Sequence, residues 1–104
     1  MIGVDKLRDW GWRYGKSCHL LISPDCDLDE LHRFAQSIGL KRSWAQKLRT
    51  SPHYDLTASK RALAVQAGAK ELTDREAVDI STGWRKRLVA EAKARMASKD
   101  GVSC

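Results

Sequence analysis

The chain has 104 residues, 42% of them hydrophobic, which is enough for one domain with a single core and too few for two. No apolar run reaches membrane-spanning length and the N-terminus lacks the charged-then-apolar pattern of a secretory signal, so a cytoplasmic protein with no membrane partner is expected. Nineteen Lys and Arg against 13 Asp and Glu give a formal charge of +6 and point to a polyanionic partner, while Cys18, Cys26 and Cys104, with no CxxC pair, argue against a disulfide framework or a Cys-rich zinc site.

Ile2-Gly3-Val4 predicts a short strand that places Asp5 at its C-terminal end, where open sheets keep polar site residues. Between residues 6 and 17, Trp10, Trp12 and Tyr14 stand among Arg8, Arg13, Lys16, Gly11 and Gly15, a loop suited either to stacking on a base or to closing a small core. Cys18-His19-Leu20-Leu21-Ile22 reads as a second strand, ended by the turn signal Ser23-Pro24-Asp25, and its alternation sends Cys18 and His19 to opposite faces. Asp27 and Glu30 form a capping box for a helix whose stripe Leu28, Leu31, Ala35 and Ile38 runs until Gly39. His32 flanks that stripe, either packed or looking into a cleft. Residues 40–48 predict a short second helix capped by Ser43, with Arg42 and Gln46 four apart and facing either a ligand together or water.

The densest chemistry lies in Ser51-Pro52-His53-Tyr54-Asp55-Leu56-Thr57-Ala58-Ser59-Lys60-Arg61. Pro52 pushes Ser51 toward extended geometry, so the segment is expected to enter as a loop, after which Thr57 or Ser59 caps a helix over residues 58–67 that stops at Gly68. The unpaired amides of that helix start, with Lys60 and Arg61 in its first turn, make a seat for phosphate, and His53, Tyr54 and Asp55 stand at its lip. The plainer reading leaves Asp55 and Thr57 as caps and the two cations as solvated surface. Residues 69–72 predict a third strand. Thr73 and Glu76 then open a helix through Ala77, Ile80, Trp84 and Leu88, which Gly83 is expected to divide. Its end is basic, with Arg85, Lys86, Arg87, Lys93, Arg95 and Lys99 around Glu91. The expected fold is a single α+β domain over residues 1–80, a small sheet of about three strands covered on one side by three to four helices, followed by a basic helical extension over residues 81–104.

Taken in order, Cys18-His19, Leu31-His32 with Phe34-Ala35, Ile38-Gly39-Leu40, Arg42, Trp44, Gln46, Pro52-His53-Tyr54-Asp55-Leu56, Ser59-Lys60-Arg61-Ala62-Leu63-Ala64-Val65 and Gly68-Ala69 with Glu71 resemble a small bacterial and phage family, catalogued as domain of unknown function four-zero-three-one. The resemblance covers residues 2–76. Two positions depart from the family pattern: Lys6 follows Asp5 where a second acidic residue is usual, which weakens a metal role for the opening strand, and Ala45 follows Trp44 where an aromatic is usual. The family implies occurrence in phages, prophages and bacterial chromosomes, and carries no activity to inherit.

Three functions are expected from these residues. The first is binding of a phosphorylated small ligand, a nucleotide or nucleotide-derived signal, by His19, His32, Arg42, Trp44, Gln46, His53, Tyr54, Asp55, Ser59, Lys60 and Arg61. In the phage setting that the resemblance implies, such binding would sequester a host signal. The second is cleavage of a phosphoester, with His53 as general base, His19 or His32 as acid, and Lys60 or Arg61 stabilising the developing charge. A metal-assisted version would use His19, His53 and Asp55 as ligands, but the His-x-Asp pattern is a weak signal, and neither a metal nor a cofactor is assigned. The third is non-catalytic binding of nucleic acid or of an acidic host protein through the basic C-terminal helix and the Trp10 to Lys16 loop.

Overall fold

The computed structural model describes residues 1–9, 11 and 15–103, with side chains described as far as Met96; Trp10, Trp12 and Tyr14, the aromatics of the expected loop, lie outside the described residues. Five strands and three α-helices are described, in the order β1 (Ile2–Val4), β2 (Arg8–Asp9), β3 (Lys16–Ile22), α1 (Leu28–Ser37), β4 (His53–Thr57), α2 (Ala58–Gln66), β5 (Lys70–Glu71) and α3 (Asp74–Ser103). A single 3-10 turn, Arg42–Trp44, separates α1 from β4. The fold is a single α+β domain. Among the described residues no helix is long and apolar enough to cross a membrane.

β3 is the hub of the sheet. It is antiparallel to β1 along one edge, with Val4 opposite Leu20, and to β4 along the other, with Leu20 opposite Tyr54 and His19 opposite Asp55. Ser17 pairs with both Arg8 and Thr57, so β2 lies on the β1 side, and β5 runs parallel to β1 beyond it. Strand alternation puts Val4, Cys18, Leu20, Ile22, Tyr54 and Leu56 on one face, where all are buried beneath Leu31 and Ala35 of α1 and Ala64 of α2. Burying each large apolar side chain there contributes roughly 1.5–3 kcal/mol. The Cys18 thiol is free in this layer, and burial, assisted by the Asp5 charge, pushes it up to about 12.

The other face carries Gly3, Leu21, His19 and His53, and α3 crosses it, so helices cover both faces instead of one. Apolar residues supply the reason: Leu21 lies on that face and is 6% exposed, and Ile80 and Trp84 of α3 are buried in the same core cluster. Trp84 Nε1–H also donates to the Ile22 carbonyl at 2.8 Å. Two glycines serve close approach. A Cβ at Gly3 would stand 2.6–2.7 Å from the Leu72 side chain, and one at Gly83 would stand 2.8 Å from Pro24 Cγ. Gly83 therefore seats Pro24 against α3 and leaves the helix unbroken.

The cap residues bond as expected, although among the described residues no Glu30 side-chain bond completes a capping box at α1. Asp27 accepts from the Asp29 amide at 3.1 Å, Thr57 accepts from the Lys60 amide at 3.3 Å, and Thr73 and Glu76 cap each other reciprocally at 3.1 Å. Two segments differ from expectation. Residues 53–57 are a strand and not a loop, because Tyr54 and Leu56 alternate with outward polar residues and Pro52, which has no N–H, sits just before the ladder. Residues 40–48 contain only the three-residue 3-10 turn Arg42–Trp44 and no longer helix, because they lack an apolar stripe: Trp44 and Leu48 remain 50% and 41% exposed. Gln46 instead exchanges two backbone bonds with His53, at 2.9 and 3.1 Å, and Lys47 follows in the left-handed region with φ 50°.

Candidate functional site

Sheet register assembles the site. Asp5, His19 and Asp55 form one row across the face under α3: His19 is opposite Asp55 on β4, while the Asp5 amide donates to the His19 carbonyl at 3.2 Å on the β1 side. His53 lies two residues before Asp55 on β4 and therefore on the same face. The imidazoles of His19 and His53 meet edge to face, with centroids 5.0 Å apart and planes at 88°.

Each imidazole is oriented from behind. Asp5 accepts from the His19 backbone N–H at 2.6 Å and from its Nδ1–H at 2.8 Å; the Ser51 carbonyl accepts from His53 Nδ1–H at 2.9 Å. With the proton fixed on Nδ1, Nε2 is the lone-pair nitrogen of each neutral ring. Both Nε2 atoms stand 3.7 Å from the same oxygen, Asp55 Oδ1, which is beyond hydrogen-bond length. Asp55 Oδ2 accepts from Gln46 Nε2 at 2.5 Å. The hydrogen bond to Asp5, reinforced by the charges of Asp5 and Asp55, outweighs burial and holds His19 above its ordinary value of 6.5.

The donor set suits a divalent cation. A nitrogen of His19, a nitrogen of His53 and an oxygen of Asp55 all lie within 4.8 Å of one another. A tetrahedral ion with bonds of about 2.0–2.1 Å sets its ligands roughly 3.3 Å apart, so small side-chain rotations would close the 3.7 Å gaps. Two imidazoles and one carboxylate leave coordination positions for water or substrate, and the Asp5 to His19 bond is the outer-shell contact that such ligands commonly carry. The site opens into a cleft of about 390 Å³ between the sheet and α3, with Arg8, Lys47 and Arg85 among its lining residues. Arg8 is paired to Asp74 at 2.6 Å.

The remaining sequence candidates fall elsewhere. His32 and Tyr54 share a buried 2.6 Å hydrogen bond on the opposite face of the sheet, where burial lowers the His32 pKa and raises that of Tyr54; they are core partners of each other. Lys60 Nζ donates to the Ile38 carbonyl at 2.8 Å and so closes the C-terminal end of α1. Arg61 donates to the Asp5 carbonyl at 2.9 Å and to Glu71 at 3.1 Å, tying α2 to the end of β1 and to β5. Ser59 Oγ lies 3.1 Å from the capping Thr57 hydroxyl. Arg42 is exposed, 4.0 Å from Asp29, and Trp44 stands at the surface with the Lys41 ammonium 5.7 Å from its ring centre. The structure thus gathers His19, His53, Asp55 and Gln46, while Lys60 and Arg61 serve the scaffold. Asp5 is the member that the candidate set omits, and its position at the end of β1 was the available signal.

No curated protein and no solved structure matches the chain. One family model, described as protein of unknown function (DUF4031), matches residues 2–83, a span that contains Asp5, His19, Gln46, His53 and Asp55 and stops inside α3. The chain belongs to the DUF4031 family.

Proposed function

We propose that the protein is a metal-assisted phosphoester hydrolase. The observation that carries this reading is the convergence of two pre-oriented imidazole Nε2 atoms on one carboxylate oxygen, beside a cleft that both histidines line together with Arg8, Lys47, Arg85, Asp5 and Asp74. A divalent ion held there would polarise a phosphoryl oxygen and lower the pKa of water. The residues divide the remaining work. Asp5 and the Ser51 carbonyl hold the rings, Gln46 fixes the Asp55 carboxylate, and Lys47 and Arg85 meet the charge of the phosphate, Arg8 being held by Asp74. In the reaction the water oxygen bonds to phosphorus as the ester P–O bond breaks, one water proton goes to the departing alcohol, and the other is released to solvent. The free thiols of Cys18 and Cys26 suit a reducing cytoplasm.

The test is calorimetric titration of the purified protein with Mn²⁺ and Zn²⁺, followed by hydrolysis of bis(p-nitrophenyl) phosphate. Saturable binding and turnover, both lost in His53→Ala and Asp55→Ala, are expected; absence of heat, or variants as active as the parent, would reject the reading. A second reading, retention of a phosphorylated small ligand without turnover, is supported by the size and charge of the same cleft. Native mass spectrometry distinguishes it: a co-purified phosphorylated ligand that is released intact favours binding alone.

A further inference from the structure

A second groove runs along the outer edge of β4, about 610 Å³ in volume, between the 3-10 turn and the start of α2. Leu40, Trp44 and Ala45 give it apolar walls, and Ser43, Gln46, Asp55, Thr57 and Lys60 are its polar lining residues. We propose that this groove is a nucleobase subsite, so that the substrate class of the candidate metal site is a nucleotide or a phosphoester bearing one. The inference rests on the metal-site reading and adds to it the part of the substrate that is not phosphate.

Two observations point there. Trp44 is 50% exposed whereas Trp84 is 7% exposed, so a large planar ring lines a cavity without being part of the core. Such a ring gains from a flat aromatic guest, and stacking of a base on an aromatic side chain is tolerant of base identity. The second observation is connectivity. Asp55 is shared: its Oδ1 faces the two histidines, and its Oδ2 holds Gln46, which lines the groove. A guest stacked on Trp44 therefore lies one carboxylate away from the cation position, an arrangement suited to a molecule that carries an aromatic ring and a phosphate a few bonds apart. The groove is lined by one carboxylate, Asp55, and one ammonium, Lys60, whose Nζ is already bonded to the Ile38 carbonyl, so the stacking ring and not net charge selects the guest.

The experiment compares adenosine monophosphate with ribose 5-phosphate, which shares its sugar and phosphate but lacks the base. Binding is measured by calorimetry on the full chain in the presence of Mn²⁺, with Mn²⁺ affinity measured separately. The parent protein should bind the nucleotide more tightly by about 5- to 150-fold, the factor expected of one stacked base. Trp44→Ala should remove that preference, Trp44→Phe should keep most of it, and neither should change Mn²⁺ affinity. Equal affinities in the parent protein, or a Trp44→Ala loss shared by both ligands, would overturn the subsite while leaving the metal site in place. The opposite failure is separable: nucleotide preference without Mn²⁺ binding would remove the metal reading and keep the groove.

Discussion

Replacing Asp5 with asparagine tests whether the carboxylate behind His19 prepares that ring for a cation. Asp5 accepts two bonds from His19, at 2.6 Å from the backbone amide and 2.8 Å from Nδ1. Asparagine has nearly the same shape but only one accepting atom. If that oxygen stays on the backbone amide, the side-chain NH₂ faces Nδ1, which must then become an acceptor. The ring proton moves to Nε2, the nitrogen 3.7 Å from Asp55. The imidazole then presents a proton where a ligand atom is needed. Loss of an outer-shell partner of this kind costs about 10- to 100-fold in metal affinity, or ~1.4–2.7 kcal/mol. Calorimetric titration with Mn²⁺ reads the change directly, at a temperature where circular dichroism shows both proteins folded. Asp55→Ala, which removes a ligand, should bind more weakly still. If Asp5→Asn binds Mn²⁺ as tightly as the parent protein, the ring does not act as a ligand through Nε2 and the argument for the site fails.

Other predictions concern the scaffold. Gly3→Ala should destabilise by about 1–3 kcal/mol in urea titrations because its methyl meets the Leu72 side chain, and the same substitution made in a Leu72→Ala background should cost less. Trp84→Phe leaves the buried Ile22 carbonyl without its donor and should cost about 1–3 kcal/mol, with little effect on Mn²⁺ affinity. Burial depresses the His32 pKa, so the unfolded chain takes up that proton first as pH falls. Stability linked to His32 should be complete above its ordinary value of 6.5 and should decline as pH drops through that value toward the folded one. His32→Gln should flatten that slope in denaturation series at successive pH values. Lys60→Met removes a bond to the end of α1 and should lower the melting temperature while sparing metal binding. Equal loss of both would return Lys60 to the site.

Helix ends were readable because their chemistry is local: Asp27, Thr57, Thr73 and Glu76 each act within three residues. The strand at 53–57 was hidden by its own polar face, since His53, Asp55 and Thr57 alternate with Tyr54 and Leu56 and the segment resembles a loop. Lys60 and Arg61 carry a different lesson. Their place at a helix start suggested phosphate, but their partners, Ile38, Asp5 and Glu71, come from distant stretches, and nothing within the segment announces them. Asp5 and His19 are 14 residues apart and Asp5 and Asp55 are 50 apart; only the pairing of β3 with both neighbours brings the three into one row. His32 is the reverse case, a histidine beside an apolar stripe that proves to be a packed one.

The sealed thiol of Cys18 has a practical use. A sulfhydryl that ionises only near about 12 and lies 1% exposed is almost inert toward alkylating reagents while the sheet and its helices stay together. With Cys26 and Cys104 changed to serine, iodoacetamide would mark only those molecules that have opened, and the pace of labelling would time that opening. Candidate ligands of the histidine row could then be ranked by how far each slows the clock, with no assay of turnover needed.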